Sequence, residues 1–222
     1  MSVVWSREFL RSLKPEIRNG LYELPVFVQK MLLQRHRSYV QAPNLYTDDQ
    51  DTNSEYLNQN GDLTKLGIPV IRPALSSMGL WGGEGLVKGY ITYVRNLKKG
   101  KNPRLWIPKI IMRTFYSEIL DKHYNIHCTH KTLDLVDENF GFDFYILKTE
   151  EALLFSKLGM DLKRMMLLRL LDEELSSEIK SKYKQFIMCK DEAQFVGLSI
   201  AECIELNRKL RVSDENSLSG AI

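Results

Sequence analysis

The sequence has few cysteines and no long apolar run. Its 222 residues include three widely separated cysteines, Cys128, Cys189 and Cys203. Secreted domains held by disulfides have an even and denser set, so we expect free thiols in a reducing compartment. No segment approaches the roughly 18 consecutive apolar residues that a membrane span requires. With a mean hydropathy of -0.27, the chain is not expected to be an integral membrane protein.

Acidic residues are absent from one long stretch, residues 85–117. This stretch contains eight lysines and arginines and no aspartate or glutamate. The rest of the chain has 23 basic and 28 acidic residues, so the net charge of +3 conceals a basic segment inside a slightly acidic protein. Such a segment is typical of a surface that contacts nucleic acid, although it can also be an ordinary solvated face.

The eight cations of residues 85–117 are the candidate RNA-binding residues. They are Lys88, Arg95, Lys98, Lys99, Lys101, Arg104, Lys109 and Arg113. Those from Arg95 to Arg104 lie near Gly100 and Pro103, so we expect a turn-rich segment that presents its charge to phosphates. No motif of a sequence-specific RNA reader accompanies them.

Aromatic residues alternate with these cations. They are Tyr90, Tyr93, Trp106, Phe115 and Tyr116. Aromatic rings can stack on unpaired bases while cations contact the phosphates. For Trp106 and Phe115, the sequence favours the alternative that both are core residues of a small sheet.

Four potential metal ligands, His123, His127, Cys128 and His130, lie close together in the sequence. Zinc needs about four ligands that converge tetrahedrally. On an extended strand, however, His127 and Cys128 point to opposite faces, and only Cys128 and His130 share a side. We therefore expect no metal site and no cofactor.

Other motifs for ion binding or catalysis are incomplete. The acidic run that opens at residue 49 has Ser54 where a calcium loop requires glycine. The glycine-rich stretch before Lys88 lacks the glycine and the serine or threonine that flank the lysine of a phosphate-binding loop. Since no nucleophile elbow or zinc-protease motif is present either, we expect no enzyme and no small-molecule substrate.

Apolar periodicity predicts helices at both ends of the chain. Residues 6–36 predict two helices that are interrupted near Asn19–Gly20 and Pro25, and the polar residues 38–64 predict a long connection. Near the other end, residues 161–171 and 178–187 predict helices. A capping box of the form Ser-x-x-Glu, at residues 199–202, predicts the start of a last helix.

The middle of the chain predicts a small antiparallel sheet. Residues 90–94 and 105–116 are rich in β-branched and aromatic residues, and residues 125–129 can pair with the second run across a turn at 121–123. Pro108 predicts an edge strand or a bulge. A helix with Leu133, Val136 and Phe140 on one face should follow and end at Gly141.

We therefore expect an α+β fold, in which a small antiparallel β-sheet RNA-binding module lies between N-terminal and C-terminal α-helical extensions. The predicted domains are a helical segment with a polar loop at 1–66, a basic β-rich module at 67–149 and a helical extension at 150–222. The N-terminus, with Arg7, Arg11, Lys14 and Arg18, has the character of an organelle import sequence, which Glu8 and Glu16 weaken. A surface helix is the alternative.

Four stretches of the chain closely resemble one known family. They are GLWGGEG at 79–85, FYSEILDK at 115–122, TLDLVDENFGFDFYILKT at 132–149 and SKLGMDLKR at 156–164. The family is the mitochondrial form of ribosomal protein L twenty-eight of the large subunit. Residues 79–149 resemble the core shared with the bacterial proteins, and residues from about 150 resemble the mitochondrial extension. Bacterial members are strongly basic throughout, whereas this chain is basic mainly in residues 85–117.

The resemblance implies a structural, non-catalytic ribosomal protein in the mitochondrial matrix. It also implies contact with large-subunit rRNA by the basic segment, and contact of the helical extensions with neighbouring mitochondrial ribosomal proteins or rRNA. Two other classes remain alternatives. One is a metal-dependent RNA-processing enzyme that uses the cluster from His123 to His130, and the other is a protein–protein adaptor whose basic surface is non-specific.

Overall fold

A computed structural model describes residues 5–41, 56–57, 63–64, 70–95 and 98–219. The helices in these residues are α1 (Arg7–Ser12), α2 (Pro15–Glu23), α3 (Val26–Gln41), α4 (His130–Glu138), α5 (Phe142–Lys148), α6 (Glu151–Leu154), α7 (Lys157–Leu170), α8 (Ser177–Lys182), α9 (Lys190–Phe195) and α10 (Ile200–Ser219). Short 3-10 helices lie at Ala74–Met78 and Lys184–Phe186. None of the helices that the structure describes combines the length and the apolar character needed to cross a membrane.

The strands form three small antiparallel sheets. They are β1 (Tyr56–Leu57), β2 (Leu63–Thr64), β3 (Val70–Ile71), β4 (Leu86–Arg95), β5 (Lys98–Trp106), β6 (Ile110–Ser117) and β7 (Lys122–Thr129). β1 pairs with β2, the order β3-β4-β5 forms the second sheet, and β6 pairs with β7. Helices together with small antiparallel sheets confirm the α+β prediction.

The chain divides into two compact units. One is a helical unit of Met1–Val40, Glu118–Leu120 and Met160–Ile222, and the other is a sheet unit of Gln41–Ser117 and Asp121–Gly159. The helical unit thus combines residues from both ends of the chain. The sequence-based division at residues 66 and 149 treated these ends as separate segments, and that division stays a prediction.

The helical unit is built around a core that joins the N-terminal helices to α9 and α10. Leu21 of α2, Val28 of α3 and Cys203 of α10 are fully buried in this core. Gly20 lies so close to α10 that a Cβ atom there would come within 2.8 Å of the Cδ1 atom of Ile204. The missing side chain therefore allows α2 and α10 to pack closely.

Hydrogen bonds also tie α10 to the end of α2. The side chains of Asn207 and Arg211 both donate to the carbonyl oxygen of Glu23, at 3.2 and 2.7 Å. A carbonyl in the last turn of a helix has no partner within that helix, so these bonds satisfy it. The predicted capping box at the start of α10 is confirmed, since Ser199 and Glu202 exchange hydrogen bonds of 2.6 and 3.3 Å.

The core of the sheet unit lies between the β6–β7 hairpin and the helices α4 and α5. Phe115 of β6 stacks on Phe142 of α5 with ring centroids 4.8 Å apart. Ile126 and Cys128 of β7 and Ile146 of α5 are buried in the same unit. The pairing predicted for residues 125–129 is confirmed, and Cys128 pairs with Ile111 of β6.

The glycine-rich stretch at 79–85 is part of this packing. The backbone nitrogen of Leu80 donates to the carbonyl of His127 at 2.9 Å, and Thr129 returns a bond to Leu80 at 3.3 Å. Leu80 thereby forms a parallel bridge with Cys128, and Trp81 is 4% exposed. Gly82 has a φ of 56°, a left-handed conformation that glycine adopts readily. The stretch therefore has a structural role beside β7.

Several sequence-based details differ from the structure. The interruption predicted near Pro25 is confirmed, but helix α2 continues through Asn19 and Gly20, and the other interruption falls at Leu13–Lys14. A glycine inside a helix costs only about 1 kcal/mol, which the close packing on α10 can offset. The polar connection predicted for 38–64 lies mostly outside the described residues, although α3 extends to Gln41 and β1 pairs with β2.

Two further details differ within the sheet unit. Pro108 lies between β5 and β6, so it separates two strands instead of interrupting one. Phe140 does not share the buried face of α4, because it follows the helix with a φ of 61° and is 91% exposed. Helix α4 ends at Glu138, and Gly141 precedes α5.

Candidate nucleic-acid interface

The β4–β5 hairpin contains six of the eight candidate RNA-binding cations. Lys88 and Arg95 belong to β4, and the other four lie in β5. The remaining two lie nearby, with Lys109 between β5 and β6 and Arg113 in β6. The turn-rich segment expected around Gly100 and Pro103 is wrong, because these residues belong to a regular strand. β5 is an edge strand, where a proline is tolerated.

The strand register puts positive charge on both faces of this hairpin. Lys101 pairs with Thr92 and Arg104 pairs with Gly89. Since neighbouring residues of a strand point to opposite faces, Lys88 and Lys101 share one face and Arg104 lies on the other. All three side chains are exposed. The side chains of Arg95, Lys98 and Lys99 lie outside the part of the chain that the structure describes.

Large apolar side chains are also exposed on both faces of the hairpin. Tyr90 and Leu105 lie on the face of Lys101, and Ile91 and Trp106 lie on the face of Arg104; each is at least 40% exposed. The prediction that Trp106 is a core residue is therefore wrong. Among the side chains of the hairpin that the structure describes, large apolar groups are thus exposed on both faces.

The exposed cations of this region have no acidic partner among the residues that the structure describes. Among the residues that the structure describes, no carboxylate forms an ion pair with Lys88, Lys101, Arg104, Lys109 or Arg113. Two cations of the helical unit differ, since Arg164 pairs with Asp161 at 2.8 Å and Arg169 pairs with Asp172 at 3.0 Å. The basic surface of the sheet unit is thus available to an anionic partner.

The two aromatic residues of β6 have different roles. Phe115 is 8% exposed and stacks on Phe142, which confirms its prediction as a core residue. Tyr116 points to the opposite face and is 46% exposed. Its hydroxyl donates to Asp121 at 2.7 Å, and its ring lies 4.8 Å from that of His123. Tyr116 is therefore already engaged by neighbouring side chains at one end of the hairpin.

The histidines and the cysteine near β7 do not converge. His127 is exposed, whereas Cys128 is fully buried on the opposite face of the strand. Burial raises the pKa of the Cys128 thiol, so it stays protonated and is a poor metal ligand. In the described ranges, no three His, Cys, Asp or Glu side chains are close enough together to hold a metal ion.

Comparison with known proteins identifies clear relatives. No protein-family model matches the chain. The large ribosomal subunit protein bL28m of Bos taurus is 48% identical over 157 residues, which are 66% of this chain. The protein of the same name from Xenopus laevis is 36% identical over 217 residues, or 91% of the chain. That from Drosophila melanogaster is 30% identical over 159 residues, or 67% of the chain.

These relatives differ in how much of their own length the chain matches. It spans 61% of the Bos taurus protein and 52% of the Drosophila melanogaster protein, but 84% of the Xenopus laevis protein. The identities to these relatives confirm the resemblance that was based on residues 79–85, 115–122, 132–149 and 156–164. The chain belongs to the bL28m family, the mitochondrial proteins of the large ribosomal subunit.

Proposed function

We propose that this chain is a structural, non-catalytic constituent of the mitochondrial large ribosomal subunit that binds and braces rRNA, and thereby supports mitochondrial translation. The observation that carries the proposal is the β4–β5 hairpin, which exposes cations on both faces within a stretch that has no acidic residue. The names of the Bos taurus and Xenopus laevis relatives support the large subunit as its location.

Phosphate contact is the chemistry that this surface supports best. Each cation that neutralises a phosphate releases condensed counterions, so binding weakens as salt rises. If about half of the eight cations contact phosphates, log K should fall with log salt with a slope of roughly -3 to -4. Contacts of this kind position a protein on RNA without reading its sequence.

Bracing follows from the two basic faces of the hairpin. Lys88 and Lys101 on one face and Arg104 on the other can each contact a different RNA segment. A hairpin that lies between two RNA segments would neutralise phosphate charge on both segments and hold them together. For the helical unit, whose cations Arg164 and Arg169 are paired with acids, we propose contacts with neighbouring mitochondrial ribosomal proteins.

The test compares two full-length double variants that carry the same change in net charge. Lys101→Glu with Arg104→Glu changes the hairpin, and Lys190→Glu with Lys209→Glu changes exposed residues of the helical unit. Binding to a transcript of mitochondrial large-subunit rRNA is measured across a salt series. The hairpin variant should bind at least roughly tenfold more weakly and lose about two units of salt slope, whereas the control should retain both.

Particle assembly provides the second measurement. Each variant is expressed in cells depleted of the native protein, and lysates are sedimented with and without RNase. The native protein and the helical-unit variant should sediment with a large particle that RNase disperses, and the hairpin variant should remain largely free. Equal behaviour of the two variants, or a native salt slope near zero, would refute rRNA contact through the hairpin.

A further inference from the structure

Trp106 is the exposed tryptophan of this chain. The protein has three tryptophans, of which Trp5 and Trp81 are 5% and 4% exposed and Trp106 is 41% exposed. It is the last residue of β5 and pairs with Val87 of β4. An indole at this place on an edge strand loses the free energy of burial, so its exposure calls for a partner that covers it.

Gly89 makes room for the indole ring. A Cβ atom on Gly89 would lie 2.8 Å from Cζ3 and 3.3 Å from Cη2 of Trp106. The ring therefore reaches diagonally across the hairpin, and its outer edge lies where a side chain at position 89 would be. Glycine within a strand commonly marks a close approach of this kind. The contact fixes the position of the ring against the backbone of β4.

Arg104 lies on the same face, beside the ring. It pairs with Gly89 in the strand register, and its guanidinium carbon is 5.8 Å from the centroid of the Trp106 ring. This is within the range of a cation–π interaction. Among the described residues Arg104 has no carboxylate partner, so its charge remains available next to the exposed indole.

We infer that Trp106, held against Gly89 and flanked by Arg104, is a stacking site for an unpaired base of the rRNA. The inference rests on the proposed function and adds a specific contact to it. An indole face stacks on any base, and a neighbouring guanidinium contacts the adjacent phosphate. The absence of acidic residues from 85–117 favours RNA over a protein segment as the partner.

Intrinsic fluorescence tests this contact directly, because the other two tryptophans are buried. The full-length protein is titrated with a single-stranded oligoribonucleotide and with a blunt duplex of the same composition. The single strand should quench the Trp106 emission, and the duplex should quench it much less because its bases are already stacked. Quenching that is equal for the two, or absent at saturation with the single strand, would overturn the inference.

Three variants separate stacking from charge. Trp106→Leu keeps an apolar side chain but removes the π face, and should weaken single-strand binding roughly 5- to 100-fold with an unchanged salt slope. Trp106→Phe should recover part of that loss. Gly89→Ala, which displaces the ring, should weaken binding in the same direction. Far-UV circular dichroism and urea midpoints close to those of the native protein establish that the variants fold.

The outcomes distinguish this inference from the proposed function. If Trp106→Leu binds the single strand as tightly as the native protein while a steep salt slope persists, the stacking site is wrong and phosphate contact stands. If Trp106→Leu instead enters particles poorly with intact RNA affinity, the ring contacts a neighbouring protein and the inference is overturned. If the native protein shows no salt-dependent binding, both proposals fail.

Discussion

The two long hairpins of the sheet unit have similar lengths but opposite relations to the core. The β6–β7 hairpin buries Phe115, Ile126 and Cys128 on one face, and its other face exposes mostly polar residues together with Met112. The β4–β5 hairpin exposes large apolar side chains, including Tyr90 and Trp106, on each of its two faces. One hairpin is thus covered by its own chain, and the other has a surface suited to an external partner.

This difference indicates which residues serve stability and which serve binding. A half-buried antiparallel pair alternates buried and exposed positions, and residues 114–117 of β6 and 125–128 of β7 follow this rule. A hairpin that is exposed on both faces gains little free energy from its own side chains. Substitutions of the buried residues of β6 and β7 should therefore change the free energy of unfolding, whereas those of the exposed cations and aromatic residues of β4 and β5 should change RNA affinity.

The largest effect is expected from Phe115→Ala. Removal of this buried ring, which stacks on Phe142, should lower the free energy of unfolding by about 3–5 kcal/mol. Ile91→Ala in the exposed hairpin is the matched change and should cost less than about 1 kcal/mol. Urea unfolding followed by circular dichroism gives both values. Equal costs would show that the β4–β5 hairpin is also part of the core.

The next largest effect is expected on the salt dependence of RNA binding, when cations are removed from the two faces of the β4–β5 hairpin. Lys101→Ala and Arg104→Ala remove one cation from each face and should each reduce the salt slope of RNA binding by about one unit. The double variant should lose about two units, since the faces contact separate phosphates. Isothermal or fluorescence titration across a salt series measures the slopes. If one single variant reduced the salt slope as much as the double variant does, one face would suffice for binding.

A smaller effect is expected from Glu118 of the helical unit. Its carboxylate accepts hydrogen bonds from Lys182 at 2.5 Å and from the buried Tyr183 hydroxyl at 3.1 Å. The bond from Lys182, joined by that from Tyr183, lowers the pKa of Glu118 despite the opposing effect of burial. The resulting stabilisation is present above the pKa that Glu118 has in the unfolded chain, and it is lost as pH falls through the lower pKa of the folded protein.

Glu118→Gln should remove the contribution of Glu118 to the pH dependence of the free energy of unfolding. Because the side chain of Glu118 is 46% exposed and solvent screens the pair, the change should be only about 0.5 kcal/mol at neutral pH. Glu173→Gln, at an exposed position, is the control. Urea midpoints from pH 3 to about pH 7 are compared, and parallel curves for the native protein and Glu118→Gln would contradict the assignment.

The smallest effect is expected at the exposed histidines near β7. Replacement of His127 and His130 by alanine should leave the urea midpoint almost unchanged, within about 0.5 kcal/mol. Treatment of the native protein with a chelator should leave its circular dichroism spectrum unchanged. Elemental analysis that finds about one zinc per chain, with loss of folding on its removal, would contradict this and favour the enzyme alternative.

Local patterns predicted the β6–β7 hairpin and the start of α10. The β-branched and aromatic residues of 110–117 predicted the strand, and Ser199 and Glu202 predicted the cap of the helix. Both signals lie within a few residues of the structure that they specify. The α+β fold and the family followed from such local stretches.

Other features could not be predicted because their cause is distant or external. Gly100 and Pro103 suggested a turn, yet they lie in an edge strand that pairs with Tyr93 and Tyr90. Trp106 suggested a core residue because most tryptophans are well buried, and composition alone does not indicate which face of a sheet its own chain will cover. The contact between Gly20 and Ile204 joins residues far apart in sequence, so no local pattern contains it.

The packing of α2 against α10 has a consequence for when the N-terminal helices can fold during synthesis. A ribosome makes the N-terminal helices first, but Ile204, which packs on Gly20, and Cys203, which shares the core of Leu21, belong to α10. The N-terminal apolar face must therefore stay uncovered, or be protected by a chaperone, until translation is nearly complete. A chain terminated before residue 200 would lack Cys203 and Ile204, and would keep the part of that face around Gly20 uncovered.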